Sequence, residues 1–164
     1  MKLDDSGAAL LEQPLLPNAI VVAAASAVAV TAGAPFRISG ACSVDSVPGI
    51  FSIPVFSDGS FGVPSVWLEP NFEYTTVENT LAAENGALLI CGSARFTGMG
   101  LMPNRVILLE VDASGAVVRD TILGSTINTI TICRQIVQWN YQRWIILEGR
   151  LDALPLPPAR VPLG

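Results

Sequence analysis

Short runs of alternating hydrophobic and polar residues recur along this chain, which is the pattern of β-strands with one buried face. The pattern is clear in residues 105–112, where Ile107, Leu109 and Val111 fall on one side of a strand. The sequence Ala-Ser-Gly at 113–115 then predicts a tight turn into a second strand at 116–123. These two segments are predicted to form a β-hairpin.

Strands of the same kind are predicted through most of the remaining chain, bounded by Gly, Pro, Asn and Asp. They cover residues 36–42, 50–56, 66–68, 72–77, 87–96, 126–133 and 135–147. Turns are predicted at Pro48-Gly49, Asp58-Gly59 and residues 69–71. Pro54 demotes its strand to an edge strand or a bulge, because proline cannot donate to the ladder. Residues 78–86 are the best helical candidate, with one or two turns.

The count of about eight to ten strands, with turn signals about 8–15 residues apart, predicts an all-β protein. We expect an antiparallel β-sandwich or barrel, jelly-roll-like in its connections. The length of 164 residues allows one domain with arms. The domain is assigned to residues 19–150, with an N-terminal arm at 1–18 and a C-terminal arm at 151–164.

Residues 18–34 form the longest apolar run, rich in alanine, and are weighed as a membrane span or a signal peptide. The run is apolar for about 16 residues, short of the ~20 that cross a bilayer. Lys2 precedes it together with three acidic residues, whereas a secretory signal starts with positive charge. We therefore expect a buried strand, in a protein that is made in the cytoplasm and does not bind membranes.

Composition restricts the chemistry further. Hydrophobic residues make up 51% of the chain and charged residues 14%, with a net charge of −5, which disfavours nucleic acid as a partner. There is no histidine, so a His-dependent nucleophile, a His general base and a His-ligated metal are all excluded. We expect no cofactor. Cys42, Cys91 and Cys133 lie in apolar runs and are predicted to be free and buried, while a disulfide between two of them stays open.

Three groups of residues were weighed as functional sites. Glu69 and Glu73 are predicted to share a strand face, but carboxylates on a strand usually form its solvated side. The glycines in Gly98-Met99-Gly100 are expected to lie in a flexible loop, because Pro103 follows and no helix does. Trp144, with Trp67, is the candidate for a sugar-stacking surface. None of these supplies a catalytic motif, and the protein is predicted not to be an enzyme.

The two arms are rich in leucine and proline, reading LLEQPLLP at 10–17 and LDALPLPPARVPLG at 151–164. Proline favours an extended chain with unpaired backbone, so the leucines need a dry surface. Each arm either folds back over its own domain or docks on a neighbouring subunit. Arginine outnumbers lysine eight to one, as interfaces prefer. The candidate interface residues are Leu10, Leu11, Leu15, Leu16, Arg143, Trp144, Leu154, Leu156, Arg160, Val161 and Leu163.

A small β-rich chain without histidine, poor in charge and carrying Leu/Pro arms at both ends, resembles the cement or decoration proteins of tailed-phage heads. The resemblance implies a non-enzymatic protein of the virion that clamps a major shell protein and neighbouring copies of itself, with a trimer favoured. It rests on the layout of the chain, so no site residue is carried over. A phage tail or fibre module, or another carbohydrate- or ligand-binding β-sandwich, is the alternative.

Overall fold

The protein is all-β over the residues that the structure, a computed structural model, describes. These are residues 35–83, 86–98 and 105–124, the strand backbones at 2–3, 9–11, 20–29, 129–140 and 143–152, and Leu16, Ala19 and Cys133. The strands are β1 (Lys2–Leu3), β2 (Ala9–Leu11), β3 (Ile20–Ala29), β4 (Phe36–Val44), β5 (Val47–Val55), β6 (Ser65–Leu68), β7 (Phe72–Ala82), β8 (Leu88–Phe96), β9 (Arg105–Val111), β10 (Val117–Leu123), β11 (Thr129–Asn140) and β12 (Arg143–Asp152).

Two antiparallel four-stranded sheets form the body. Sheet I has the order β3-β4-β5-β6 and sheet II the order β7-β8-β9-β10, while β1 pairs with β2 and β11 with β12. The predicted antiparallel sandwich is confirmed. Each described sheet is a meander of consecutive strands, whereas a jelly-roll order would place non-consecutive strands side by side.

The central core lies between the two sheets and is built from the inward faces of their strands. Ile107, Leu109 and Val111 of β9 point into it, as their alternation predicted. Sheet I contributes Ile50, with Trp67 packed beside it. The remaining buried members come from β7 and β8 and are Phe72, Val77, Leu88, Ile90 and Ala94. Burial of these aliphatic and aromatic side chains joins the sheets face to face.

Each sheet is also covered on its other face. On sheet II, Leu89 and Cys91 of β8 and Val106 of β9 pack with Cys133 of β11, so the β11–β12 hairpin lies on the side away from sheet I. On sheet I, Leu16 packs with residues of β4 and β5 on the side away from sheet II. The described parts of the molecule therefore lie in the order Leu16 with Ala19, sheet I, sheet II and the β11–β12 hairpin.

The cysteines differ from the prediction that all three are free. Cys91 of β8 and Cys133 of β11 form a disulfide with their Cα atoms 6.3 Å apart, and only Cys42 is a free thiol. The prediction was wrong because the apolar runs around Cys91 and Cys133 belong to two layers that pack against each other. The bond ties the outer hairpin to sheet II. Burial raises the pKa of the Cys42 thiol to about 11.

The turn between β4 and β5 was placed wrongly at Pro48-Gly49. It lies at Asp45 and Ser46, which have φ of 49° and 68°, the sign pattern of a type I′ hairpin turn. Gly49 instead lies inside β5, opposite Cys42 and Leu68. A Cβ there would overlap the Trp67 carbonyl oxygen of β6, so this glycine permits a close approach of two strands.

Pro54 lies in β5 beyond the point where β6 stops pairing, which is at Ser52 opposite Ser65. Its carbonyl accepts a hydrogen bond from the Gly62 amide at 2.8 Å, so its ring nitrogen also faces away from β4. The missing donor therefore faces the β5–β6 loop and not the β4 ladder. The prediction that Pro54 marks an edge strand or a bulge is wrong, because β5 lies between β4 and β6 and its pairing with β4 is continuous.

The helix predicted at 78–86 is wrong. Residues 79–82 continue β7 and pair with β8 after a register shift at Glu78, and the chain then turns through Gly86, whose φ is 80°. Residues 135–147 are not one strand either, because β11 ends at Asn140 and β12 begins at Arg143. Period-two patterning is the same on both sides of a tight reversal, so it did not reveal this hairpin.

The apolar run at 18–34 contains β3, so its prediction as a strand is confirmed over Ile20–Ala29. The described part of the chain contains no helix with the length and hydropathy needed to cross a membrane.

The disulfide predicts a defined thiol count. One thiol should react with Ellman reagent in denaturant without reductant, three after reduction, and none rapidly in the native protein, because Cys42 is buried. Reduction should lower the free energy of unfolding by about 4 kcal/mol, the chain-entropy value for a bridge spanning 42 residues. In a Cys91→Ala/Cys133→Ala control the reductant should change nothing. Three reactive thiols in unreduced, denatured protein would contradict the bridge.

The turn at Asp45 and Ser46 predicts a stabilising substitution. Ser46→Gly should raise the free energy of unfolding by up to about 1 kcal/mol, because glycine adopts positive φ without the Cβ penalty. Ser114→Gly, in the β9–β10 turn at a residue whose φ is not positive, is the matched control and should not stabilise. Urea denaturation measures both variants. Destabilisation by Ser46→Gly would show that the turn is formed differently.

Candidate interaction surface

The side of sheet I that faces away from sheet II is apolar across β4, β5 and β6. Residues on this outer face follow from the register of β4, β5 and β6, in which directly opposed residues share a face. They are Phe36, Ile38, Gly40, Cys42, Val44, Val47, Gly49, Phe51, Ile53, Val55, Phe61, Val66 and Leu68. An outward sheet face in a two-layer sandwich is normally polar, so this one requires a cover.

The cover is incomplete. Leu16 is 6% exposed and packs against Cys42, Phe51 and Ile53, all buried at the centre of the face, with Ala19 beside them. The rim stays open, since Phe36 is 57% exposed and both outward residues of β6 are more than one-third exposed. We call Phe36, Val66 and Leu68 the open rim of the outer face.

The loop between β5 and β6 carries two further exposed apolar side chains. Phe56 and Val63 are both exposed there. The loop is held by its own hydrogen bonds, in which the Phe56 amide donates to the Ser60 carbonyl and Asp58 Oδ1 accepts from the Ser60 amide and hydroxyl. The turn predicted at Asp58-Gly59 is thereby confirmed, and it presents two large apolar side chains to solvent.

The predicted interface residues fall in several places. Leu16 is buried in this chain's own core, which is the fold-back alternative for that residue. Leu10 and Leu11 lie in β2, and Arg143 and Trp144 begin β12, opposite Asn140 and Gln138. The others lie outside the described residues, and they are Leu15, Leu154, Leu156, Arg160, Val161 and Leu163.

A buried arginine joins the two sheets at one end of the sandwich. Arg37 of β4 is 7% exposed, and its Nε donates to Ser52 Oγ at 3.2 Å. Its Nη2 lies 3.5 Å from Ser65 Oγ, and Ser65 in turn donates to the Gly115 carbonyl in the β9–β10 turn. This chain of contacts runs from β4 through β5 and β6 to sheet II.

Burial and hydrogen bonding shift the pKa values of Arg37 and Asp112 in this cluster. Desolvation lowers the pKa of Arg37, and the nearby Asp112 carboxylate acts in the opposite direction. The pKa of Asp112 is itself lowered, because the Ser114 hydroxyl and the Ala116 amide donate hydrogen bonds to it. Gly115 has φ of 96°, and a Cβ there would approach Arg37 Nη2 and Ser65 Oγ to 2.8 Å. Arg37, Ser65 and Gly115 therefore form a structural contact between the two sheets.

The acidic candidates are engaged in local structure. Glu73 forms an ion pair with Arg95 of β8 and accepts a hydrogen bond from the Gly98 amide. Glu69 accepts from the backbone and side chain of Asn71 within a turn, as the predicted turn at 69–71 requires. Among the described residues no group of three or more potential ligands could hold a metal ion.

The aromatic candidates do not form a described platform. Trp67 points to the inner face of β6, packs against the central core and lies 6.3 Å from the Phe72 ring centroid. It is therefore not the surface aromatic that a sugar-stacking strip needs. Trp144 is placed only by its register opposite Gln138.

The open rim was not predicted from the sequence. The strands β4 and β6 were predicted correctly, but each was expected to have one buried face and one solvated face. A usable signal was present, since ISGAC and GIFSI contain no charged residue on either side of the strand. Such runs indicate strands covered on both faces.

No family model matches the chain, and no curated protein and no solved structure is significantly similar to it. The chemistry of the surfaces described above is therefore the basis for assigning a function.

The Arg37 cluster predicts a large stability effect. Arg37→Leu should lower the free energy of unfolding by about 1.5–3 kcal/mol, because buried hydroxyls lose a charged hydrogen-bond partner. Arg119→Leu, an exposed arginine on β10, is the matched control and should change stability by less than about 0.5 kcal/mol. Urea denaturation of both variants measures the difference. Equal effects would contradict a stabilising role of the Arg37 cluster.

Proposed function

We propose that this protein is a non-enzymatic structural protein that binds and stabilises a larger protein assembly, acting as a cement or decoration protein on the capsid of a tailed phage. The observation that carries the proposal is the open rim of the outer face of sheet I. Phe36, Val66 and Leu68 are large apolar side chains left partly exposed on a continuous apolar sheet. Val66 and Leu68 are neighbours on the outward side of β6, and adjacent exposed apolar side chains of this kind mark a site of protein contact.

The sparse charge of the chain supports the same proposal. With 14% charged residues, against about 25% in ordinary soluble domains, the protein has few charged side chains to keep a monomer soluble. Burial of apolar surface in a larger assembly lowers the number of charged side chains that solubility requires. A homo-oligomer, with a trimer favoured, and a major shell protein are the proposed partners.

The disulfide supports the proposed location on the virion surface. Bonds such as Cys91–Cys133 persist on virion surfaces and in other oxidising environments, and are rare in the reducing cytosol. In this proposal the chain is made in the host cytoplasm and the bridge forms once the particle is outside. The bridge would then hold the β11–β12 layer on sheet II during exposure to the environment.

Attachment to particles tests this function. Particles of the phage that encodes the chain, stripped of it, should rupture at a lower temperature than intact ones, as measured by release of DNA to a fluorescent dye. Adding the purified full-length protein should restore the rupture temperature by several degrees. Val66→Asp/Leu68→Asp should fail to restore it, because charge on the rim opposes apolar docking.

Val118→Asp is the matched control, because Val118 is 57% exposed on the edge of sheet II, away from the outer face of sheet I. It should restore the rupture temperature as the wild-type protein does. Absence of the chain from purified particles, or an unchanged rupture temperature on adding it, would overturn the proposal. Hydrolytic turnover lost in Glu73→Gln would do the same.

A further inference from the structure

The outer face of sheet I already buries a leucine from a Leu/Pro-rich part of the sequence. Leu16, which stands in the run PLLP at 14–17, is buried against Cys42, Phe51 and Ile53. The chemistry that this face accepts is thus a leucine from a proline-flanked chain. Among the described residues before β3, Leu16 and Ala19 lie on the centre of the face, and the open rim remains exposed.

A second segment of the same composition exists in the chain. Residues 153–164 follow β12 and contain four prolines, together with Leu154, Leu156, Val161 and Leu163. Prolines deny this segment a full ladder of its own but leave its aliphatic side chains free to pack. Twelve residues in an extended polyproline conformation reach about 37 Å, and the nine-residue strand β5 is about 30 Å long. The segment is long enough to run along the whole outer face.

The layer order decides which copy supplies the segment. β12 pairs with β11, and β11 packs on sheet II, on the side away from sheet I. The outer face of sheet I is the opposite surface of the sandwich, two sheets away at about 10 Å per layer. An arm that reached the outer face of its own sheet I would use most of its length to cross the two sheets. The arm of a neighbouring copy can approach that face directly.

We propose that residues 153–164 of one copy dock on the outer face of sheet I of a second copy, with Leu154 and Leu156 covering the open rim beside the segment that holds Leu16. This inference names the partner of the surface described under the proposed function and rests on that function. The receptor is preformed, because its strands are held by their own ladders and by the central core. The arm supplies leucines to a face that already buries one.

Complementation between two full-length variants tests the exchange. Variant one carries Leu154→Ser/Leu156→Ser in the arm, and variant two carries Val66→Ser/Leu68→Ser on the rim. The wild-type protein should be an oligomer by light scattering at micromolar concentration, and each variant should shift to the mass of one chain, 17.3 kDa. Mixing the two should restore association, because one retains an intact face and the other an intact arm.

Val118→Ser is the control and should remain oligomeric. A wild-type monomer would mean that the arm is not exchanged and would overturn the inference. An oligomer that neither variant weakens, or one that Val118→Ser dissociates, would also overturn it. Failure of the mixture to associate would also overturn it, because the arm of one variant would then not bind the outer face of the other.

A peptide experiment covers the case in which the rim variant does not fold. A synthetic peptide of residues 153–164 with a photoreactive group should crosslink to segments 36–44 or 65–68 of the arm variant. A peptide with serine in place of both leucines should lose at least tenfold in binding. Crosslinks to β10 instead would overturn the inference.

Particle binding separates this inference from the proposed function. An arm-exchanged oligomer that leaves the particle rupture temperature unchanged would overturn the cement function and retain the exchange. A protein that stabilises particles as a monomer would overturn the exchange alone.

Discussion

The outer faces of both four-stranded sheets carry large apolar side chains, and this constraint governs the rest of the structure. A sheet of that kind cannot be the outer layer of a protein, because an uncovered face leaves large apolar areas in water. Sheet II is covered by the β11–β12 hairpin, which the Cys91–Cys133 bond fixes in place. On sheet I, Leu16 and Ala19 are the described residues that cover the outer face, and they lie at its centre. Phe36, Val66 and Leu68 at the margins of that face remain partly exposed.

Polar contacts also join the strands and sheets of the sandwich. Arg37 reaches from β4 to hydroxyls on β5 and β6, and Ser65 continues the contact to the Gly115 carbonyl. Glu73 and Arg95 pair across two strands of sheet II. These contacts involve few charged residues, which is consistent with the low charged fraction of the chain.

Sequence patterns located most strands because period-two alternation is a local property of the chain. The predictions failed where a contact with residues distant in sequence determined the conformation, or where two conformations have the same sequence pattern. Gly49 resembled a turn residue, yet it permits the close approach of β6. Residues 78–82 resembled a helix, but pairing with β8 extends β7 through them. The fold-back of Leu16 was one of two alternatives, and only packing against Phe51 distinguished them.

The sequence by itself determined an all-β chain with Leu/Pro segments at both ends and no His-dependent chemistry. These properties follow from composition and local periodicity, which every stretch of chain carries without its neighbours. The tertiary structure alone decided which two cysteines join, which strands bury both faces and where apolar side chains remain exposed. Pairing of Cys91 with Cys133 and exposure of Val66 depend on layers that residues far apart in sequence build together. Such proximity has no counterpart in local spacing.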